Sequence, residues 1–197
     1  MGARAEAVAE TRDRIVEAAK VLHVERGVVS TSWEDIAEHA GVSTATVYRH
    51  FPSLTELIPA CARSVFDIIE PPALEDAGQQ FSEHTAPEDR LEQFVRASCV
   101  CYGKGRGWLH AAHRERDFVP ELDAALRILD ESLEVLVAAA AGRPLSPVEL
   151  RSLFALCDFP FWWGLTAGGL TDREVEEEIV RLVRMRVRLP STARSDT

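Results

Sequence analysis

The chain has 197 residues, of which 46% are hydrophobic, and these values suit one large domain or two small ones with an ample apolar core. Its formal net charge is −10, which excludes a generally basic nucleic-acid coat and confines any DNA binding to a local surface. No apolar run approaches the ~20 residues of a membrane span, and four cysteines without framework spacing indicate reduced thiols in a cytoplasm.

The first predicted helix runs from about Thr11 to Arg26. Its apolar residues recur at the spacing of one buried helix face, and Gly27 supplies a C-terminal cap. Residues 1–10 are expected to form either a frayed arm or an extension of this helix. His23 lies at the edge of the apolar face, and we expect a core histidine with a hydrogen-bonded ring nitrogen. The buried face comprises Ile15, Ala18, Ala19 and Leu22.

The stretch from Thr31 to Leu57 predicts two short helices joined by a tight turn, with a third helix behind them: TSWEDIAEHAGVSTATVYRHFPSLTEL. Thr31 and Glu34 have the spacing of a capping box, which starts the first of these helices. Gly41 ends that helix, because glycine accepts the left-handed backbone of a sharp turn. Ser43 can cap the second helix by accepting a hydrogen bond from its first turn.

This arrangement is typical of a helix-turn-helix, whose second helix lies in the major groove of DNA. Val47 and Phe51 are four residues apart and face inward, which leaves short, hydrogen-bonding side chains on the outer face. The segment from Gly41 to Thr55 has no acidic residue, as expected of a helix that lies against phosphates. The alternative is a helical hairpin with a polar outer face. The predicted DNA contacts are Thr31, Ser43, Thr44, Ala45, Thr46, Tyr48, Arg49 and His50.

The sequence IAEHAGVSTATVYRHFPS resembles the signature of the TetR family of transcriptional repressors, and IVEAAKVLHVERG, Ile15 to Gly27, resembles that family's first helix. The resemblance covers about the first quarter of the chain, and the rest matches only in length and helical character. It implies a double-stranded DNA operator, a homodimer and a small-molecule effector bound in the body. Leu54 stands where a lysine is common in the family, so one expected phosphate contact is missing.

Six helices are predicted after the two short ones, the first being the helix that starts at the end of the motif. The first contains Pro59, which removes a backbone donor and promotes a kink. Two helices then run over about 85–104 and 108–116, because the glycines of residues 103–107 are expected to interrupt the pattern between them. A longer helix follows and ends before Gly142.

Two helices complete the chain. Ser146, Pro147 and Glu149 provide a cap, a first-position proline and a box acid for the start of one, which continues to about residue 167 with Pro160 as a kink. The other begins near Thr171. The sequence thus predicts an all-α protein with a three-helix head on a six-helix body. The predicted domains are a helix-turn-helix head at 1–53, a ligand-binding and dimerisation body at 54–190, and a disordered tail at 191–197.

An aromatic cluster near the end of the chain has two interpretations. Helical regulators of this family commonly pair their last two helices with those of a second subunit, and aromatic residues suit such a four-helix interface. The same side chains could instead line a ligand cavity. The cluster contains Phe154, Phe159, Phe161, Trp162 and Trp163. We favour an interface, with Phe161, Trp162, Leu165, Val175, Ile179 and Leu182 as its predicted residues.

Four residues that combine aromatic and polar groups are predicted to line the effector pocket: Tyr102, Trp108, His110 and His113. His110 and His113 are three residues apart and could share a metal ion, but no convincing third ligand accompanies them, so no metal or other cofactor is expected. The sequence has no Gly-rich phosphate loop, nucleophile elbow or HExxH motif, and we expect no catalytic residues.

The sequence itself indicates a helix-turn-helix head and a helical body. The family resemblance implies a ligand-responsive transcriptional regulator, of the repressor type, that binds a palindromic operator as a homodimer. The alternative is a helical small-molecule-binding protein or enzyme with a vestigial helix-turn-helix head. The acidic charge and Leu54 keep that alternative open. Binding of the chain's own upstream DNA separates the two.

Overall fold

The structure, a computed structural model, describes residues 2–70, 81 and 86–188. These residues form nine α-helices and no strand, which confirms the predicted all-α fold. In chain order the helices are α1 Gly2–Arg26, α2 Trp33–Ala40, α3 Thr44–His50, α4 Leu54–Ile69, α5 Pro87–Glu115, α6 Pro120–Ala141, α7 Pro147–Cys157, α8 Phe159–Ala167 and α9 Asp172–Arg188.

The chain divides into two compact units, each of which is discontinuous in sequence. The first unit contains the residues up to Ile68 together with Gly105–Arg127, and the second contains Ile69–Lys104 and the residues from Ile128 onward. Helices α5 and α6 therefore contribute residues to both units. The first unit extends past residue 53, where the head was predicted to end. The predicted domain boundaries stay predictions. The predicted tail at 191–197 lies outside the described residues.

Helices α1 to α4 form the core of the first unit. The predicted inner face of α1 is buried, and α2, α3 and α4 add Ile36, Val47 and Leu57 to the same cluster. Because α1 begins at Gly2, the residues before Thr11 extend the helix. His23 is 2% exposed, but neither of its ring nitrogens has a hydrogen-bond partner among the residues described, so the predicted hydrogen bond is not found there.

Helix α5 is continuous over 29 residues, so the predicted interruption at residues 103–107 is wrong. Each glycine lowers helix propensity by about 1 kcal/mol relative to alanine, yet tertiary packing supplies most of the stability of a helix in a protein. Gly107 has a packing reason to be small, because a Cβ at this position would lie 2.9 Å from Val24 Cγ1 of α1. Gly107 therefore indicates close packing against α1 rather than a helix end.

The single helix predicted from Ser146 to residue 167 is instead two helices, α7 and α8, which meet at Asp158. Asp158 has an extended backbone, with φ −79° and ψ 153°, and its Oδ1 accepts a hydrogen bond of 2.7 Å from Phe159 N. Pro160 then lies in the first turn of α8, where a missing N–H costs little. The proline predicted as a kink is thus part of a helix start.

The predicted start of α7 is confirmed. Ser146 caps the helix and forms a capping box with Glu149, whose carboxylate accepts from Ser146 N at 3.0 Å. Arg143 Nη2 donates to the same carboxylate at 2.8 Å. The Arg143 hydrogen bond, followed by the Ser146 contacts, lowers the pKa of Glu149 to about 2. This buried carboxylate is therefore ionised at neutral pH and fixes the α6–α7 turn.

Candidate nucleic-acid interface

Helix α2 begins one residue later than the sequence pattern indicated. Ser32, not Thr31, is the N-cap, and its Oγ accepts from Asp35 N at 3.1 Å while Asp35 Oδ2 accepts from Ser32 N at 2.9 Å. The hydrogen bonds from Ser32 hold the pKa of Asp35 below its usual value. Thr31 Oγ1 donates to Gly27 O at 2.6 Å, so this predicted DNA contact anchors the turn that follows α1.

The corner between α2 and α3 forms as predicted. Gly41 has φ 65° and ψ 39°, the left-handed region that favours glycine. Gly41 N donates to Glu38 O at 3.1 Å, and Val42 N donates to Ala37 O at 3.0 Å. No atom of the described residues lies within 4 Å of a Cβ built at Gly41, so the backbone conformation, not a lack of space, favours glycine here.

Helix α3, the predicted recognition helix, is capped at its N-terminus and is anchored by buried side chains and by Arg12. Ser43 Oγ accepts from Thr46 N at 3.2 Å. Val47 and Phe51 are fully buried, as predicted. The guanidinium of Arg12 lies 4.1 Å from the centre of the Phe51 ring and donates to the carbonyl of His50 at 3.5 Å. A cation at this carbonyl complements the negative end of the helix dipole.

The predicted DNA-contact residues of α3 and its cap are all at least partly accessible. Ser43, Ala45, Tyr48 and Arg49 are exposed, and Thr44, Thr46 and His50 are half-buried. Burial, followed by the charges of Arg49 and Arg12, lowers the pKa of His50 below its usual value. His50 is therefore neutral at pH 7 and presents a hydrogen-bonding ring rather than a charge. The predicted outer face of α3 combines hydroxyl groups, one aromatic ring and one cation.

Trp33 was missed in the sequence and supports this face. Its ring centre lies 5.2 Å from that of Tyr48, with the planes tilted by 37°. Trp33 also packs against the core of the first unit. It lies four residues before Ala37, on the buried side of α2, so helical spacing was the signal that could have found it. The tryptophan restricts the positions that the exposed Tyr48 ring can adopt.

The four predicted pocket residues are divided between the two compact units. Tyr102 belongs to the second unit, where its hydroxyl donates to Cys157 O at 2.7 Å and its ring packs edge-on against Phe159 at 5.6 Å. Trp108, His110 and His113 belong to the first unit; Trp108 is buried and both histidines are half-buried. Their assignment to an effector pocket stays a prediction.

The six predicted interface residues fall into two classes. Trp162, Val175 and Ile179 are at most 2% exposed in the single chain, so they pack inside the protomer and offer almost no surface to a second copy. Their place in an interface between protomers stays a prediction. Phe161, Leu165 and Leu182 are half-buried, and the predicted interface therefore depends on them.

The residues that the structure describes contain no group of three or more His, Cys, Asp and Glu side chains arranged to hold a metal ion. None of the helices described combines the length and the apolar character of a membrane-spanning segment.

Comparisons with known proteins match this site. The sequence model of bacterial regulatory proteins of the tetR family matches residues 15–61, which contain α2, α3 and most of α1 beyond its extension. The transcriptional regulator HbdR of Aromatoleum sp. (strain CIB) is 26% identical over 190 residues, or 89% of this chain and 80% of that protein. The regulator TtgR of Pseudomonas putida is 43% identical over 58 residues, or 29% of this chain and 28% of that protein.

A solved structure extends the likeness to the whole fold. The putative TetR-family regulator from Syntrophomonas wolfei str. Goettingen superposes with a TM-score of 0.68 at 17% identity, over 93% of this chain and 98% of that one. The fold is therefore shared, while the sequence likeness is concentrated in the helix-turn-helix. With its capped recognition helix and all-helical architecture, the chain is similar to transcriptional regulators of the TetR family, whose sequence model matches residues 15–61.

Proposed function

We propose that the protein is a ligand-responsive repressor that binds a palindromic DNA operator as a homodimer. The observation that carries the proposal is the accessible face of α3, which has no acidic residue and rests on the buried Val47–Phe51 pair. Such a face can approach base edges in the major groove without repelling phosphates. Repression, rather than activation, is proposed from the family resemblance.

A palindromic operator follows from two-fold symmetry. Two copies of α3 would enter successive major grooves on one side of the DNA, about 34–36 Å apart. The net charge of −10 leaves the local surface around α3, including Arg49, to bind phosphates. We therefore expect weak nonspecific affinity and a specific affinity that falls steeply with added salt.

The first test removes side chains from the proposed reading face. Tyr48→Ala and Thr44→Ala should each weaken operator binding by ~1–3 kcal/mol if the side chain reads a base, because that is the range for one specific contact. Fluorescence anisotropy with the chain's own upstream DNA gives the affinity, and circular dichroism checks the fold. Phe118→Ala is the control, since Phe118 is an exposed aromatic residue outside the helix-turn-helix.

The outcomes of this test are distinct. Unchanged affinity in both variants would exclude α3 as the reader of the sequence. A parent protein that binds none of its upstream DNA would favour a small-molecule-binding protein or enzyme with a vestigial head instead.

The homodimer is tested with a charge on the proposed interface. Leu165→Glu should shift the protein from dimer to monomer, because an unpaired carboxylate buried between apolar surfaces is strongly unfavourable. Leu165 is half-buried in the single chain, so the substitution need not unfold the protomer. Ile128→Glu is the matched control on an exposed position of α6. Sedimentation at micromolar concentration reports the assembly, and a Leu165→Glu variant as dimeric as the parent would place the interface elsewhere.

A further inference from the structure

A buried carboxylate holds the turn between α1 and α2. Glu115 is the last residue of α5 and is 9% exposed. Its Oε2 accepts hydrogen bonds from two successive backbone amides of the turn, Val28 N at 2.7 Å and Val29 N at 3.1 Å. Hydrogen bonds to an ionised acceptor are roughly twice as strong as neutral ones. Both bonds lie within the first compact unit.

The turn has the shape that this carboxylate requires. Gly27 has φ +91°, and a Cβ at this residue would lie 1.9 Å from Glu115 Oε1. Any other L-residue at position 27 would therefore meet both backbone strain and the carboxylate itself. Arg114 Nη2 lies 3.3 Å from the same Oε1 and supplies a countercharge. Gly27 and Glu115 therefore fit each other, although Glu115 lies 87 positions along the chain from Val28, whose amide makes the shorter hydrogen bond.

His23 completes the surroundings of the carboxylate. Its imidazole is buried next to Glu115, and burial lowers its pKa to about 4 although the negative charge of Glu115 acts in the opposite direction. The ring is therefore neutral at pH 7. It neither neutralises the carboxylate nor, among the described residues, donates to it. The charge of Glu115 is directed to the two backbone amides and Arg114.

The turn that Glu115 holds leads directly into the DNA-binding helices. Thr31 N donates to Val28 O at 3.1 Å, and Ser32, the next residue, caps α2. The position of α2 fixes that of α3 through the Gly41 corner and the Trp33–Tyr48 ring contact. Without the carboxylate, the amides of Val28 and Val29 would lose their acceptor, and the turn would keep only its local hydrogen bonds, such as those from Thr31 to Gly27 O and Val28 O.

We propose that Glu115 is a positioning residue for DNA binding, which fixes the α1–α2 turn and through it the recognition helix without touching DNA. The inference rests on the proposed operator binding. It makes the C-terminal end of α5 a part of the DNA-binding unit rather than of the effector-binding body alone. A small-molecule effector that disturbs this end of α5 would release the turn.

The direction in which DNA affinity changes when a negative charge is removed distinguishes a positioning role from a general electrostatic effect. Glu115→Gln and Asp117→Asn each remove one negative charge within three residues of each other, and Asp117 is exposed in the turn after α5. If charge alone matters, both substitutions bring the protein closer to neutral and raise its affinity for DNA slightly. If Glu115 positions the turn, Glu115→Gln lowers affinity while Asp117→Asn does not.

The expected order of operator affinity is Asp117→Asn at or above the parent, then Glu115→Gln, then Glu115→Ala. The glutamine can still accept both amide hydrogen bonds, but as a neutral acceptor, and its amide group meets Arg114 as a second donor. The alanine loses both bonds, and its affinity should fall about tenfold or more, in keeping with the loss of charged hydrogen bonds. Glutamine also retains the side-chain volume, so it tests the proposal if the alanine variant fails to fold.

Hydrogen exchange supplies a readout that affinity alone does not. The exchange rate of the Val28 and Val29 amides should be lowest in Asp117→Asn, higher in Glu115→Gln and highest in Glu115→Ala. The circular dichroism spectrum should change little in all three variants. Parent-like affinity in both Glu115 variants would overturn the inference and leave the proposed function in place. A parent that binds no upstream DNA would remove the proposed function, and this inference with it.

Discussion

Replacing Phe51 by alanine should lower the free energy of unfolding by about 3–5 kcal/mol, the range for truncating a fully buried phenylalanine. Phe51 is 0% exposed and follows the last residue of α3. Its ring packs in the cluster that joins α1 to the recognition helix and lies under the guanidinium of Arg12. The substitution therefore removes buried apolar surface, leaves a cavity and deprives Arg12 of its aromatic partner.

The control for this prediction is the same change at Phe118, which is 77% exposed and should alter stability by less than about 0.5 kcal/mol. A urea titration followed by circular dichroism gives both values, with the slope of the transition checked for a change in the unfolding mechanism. Operator binding should be lost with Phe51→Ala because the recognition helix loses its support. Equal stability of the two alanine variants would mean that the cluster around Phe51 contributes little to the fold.

Replacing Pro59 by alanine should act in the opposite direction on stability. Pro59 lies inside α4, is exposed, and cannot donate the backbone hydrogen bond that Thr55 O would accept. Alanine restores that donor and a favourable helix propensity, so the free energy of unfolding should rise by about 1–3 kcal/mol. Pro147→Ala is the control, since Pro147 occupies the first turn of α7, where proline is well tolerated.

The same Pro59→Ala variant should also change operator affinity or the response to effector. Helix α4 follows the recognition helix directly, and a bend in α4 at Pro59 would set the angle from which α3 approaches DNA. Affinity with and without effector, measured alongside melting temperature, tests this effect. A variant that is more stable but has the parent's affinity and response would show that the bend is passive.

The features that the sequence predicted well depend on residues close together in the chain. The Gly41 corner, the Ser43 cap and the inward Val47–Phe51 pair each follow from the spacing of residues within two helical turns. Local backbone chemistry decides these features, so the pattern was sufficient. Thr31 and Ser32 show the limit of that approach, because either residue can cap a helix and the actual choice depends on the turn to Gly27.

The predicted helix boundaries in the body were wrong where tertiary contacts or a local cap outweighed the helix propensity of single residues. The glycines of α5 weaken the helix locally, but the close approach of Val24 to Gly107 cannot be inferred from neighbouring residues. At Pro160 the deciding feature is local. A proline in an apolar stretch is compatible with either a kink or a helix start, and the Asp158 cap makes it a helix start. Trp162 was assigned to an interface because its ring contact with Tyr102, at 5.9 Å between centres, joins residues that are distant in the chain.

Contacts between distant parts of the chain were beyond the reach of the sequence pattern. Glu115 is one of many glutamates in an acidic chain, and nothing near it marks it as the acceptor for Val28 and Val29. His23 was expected to have a hydrogen bond because most buried polar groups have one. The lack of a partner for the His23 ring nitrogens among the described residues depends on the surrounding helices, so it could be recognised only in the structure.

The discontinuous first unit has a consequence for synthesis of the protein. The helix-turn-helix is complete once residue 68 has been translated, yet Glu115, which bonds Val28 and Val29, and Glu121, whose carboxylate accepts from Thr55 Oγ1 at 2.9 Å, come much later. At ~5–20 residues per second, the roughly 50 residues between position 68 and these two glutamates take about 2.5–10 s to translate. During that interval the nascent DNA-binding helices lack two of their anchors. A ribosome-bound chain that ends before residue 115 should therefore be digested by protease in the α1–α2 turn, whereas one extended beyond residue 127 should resist.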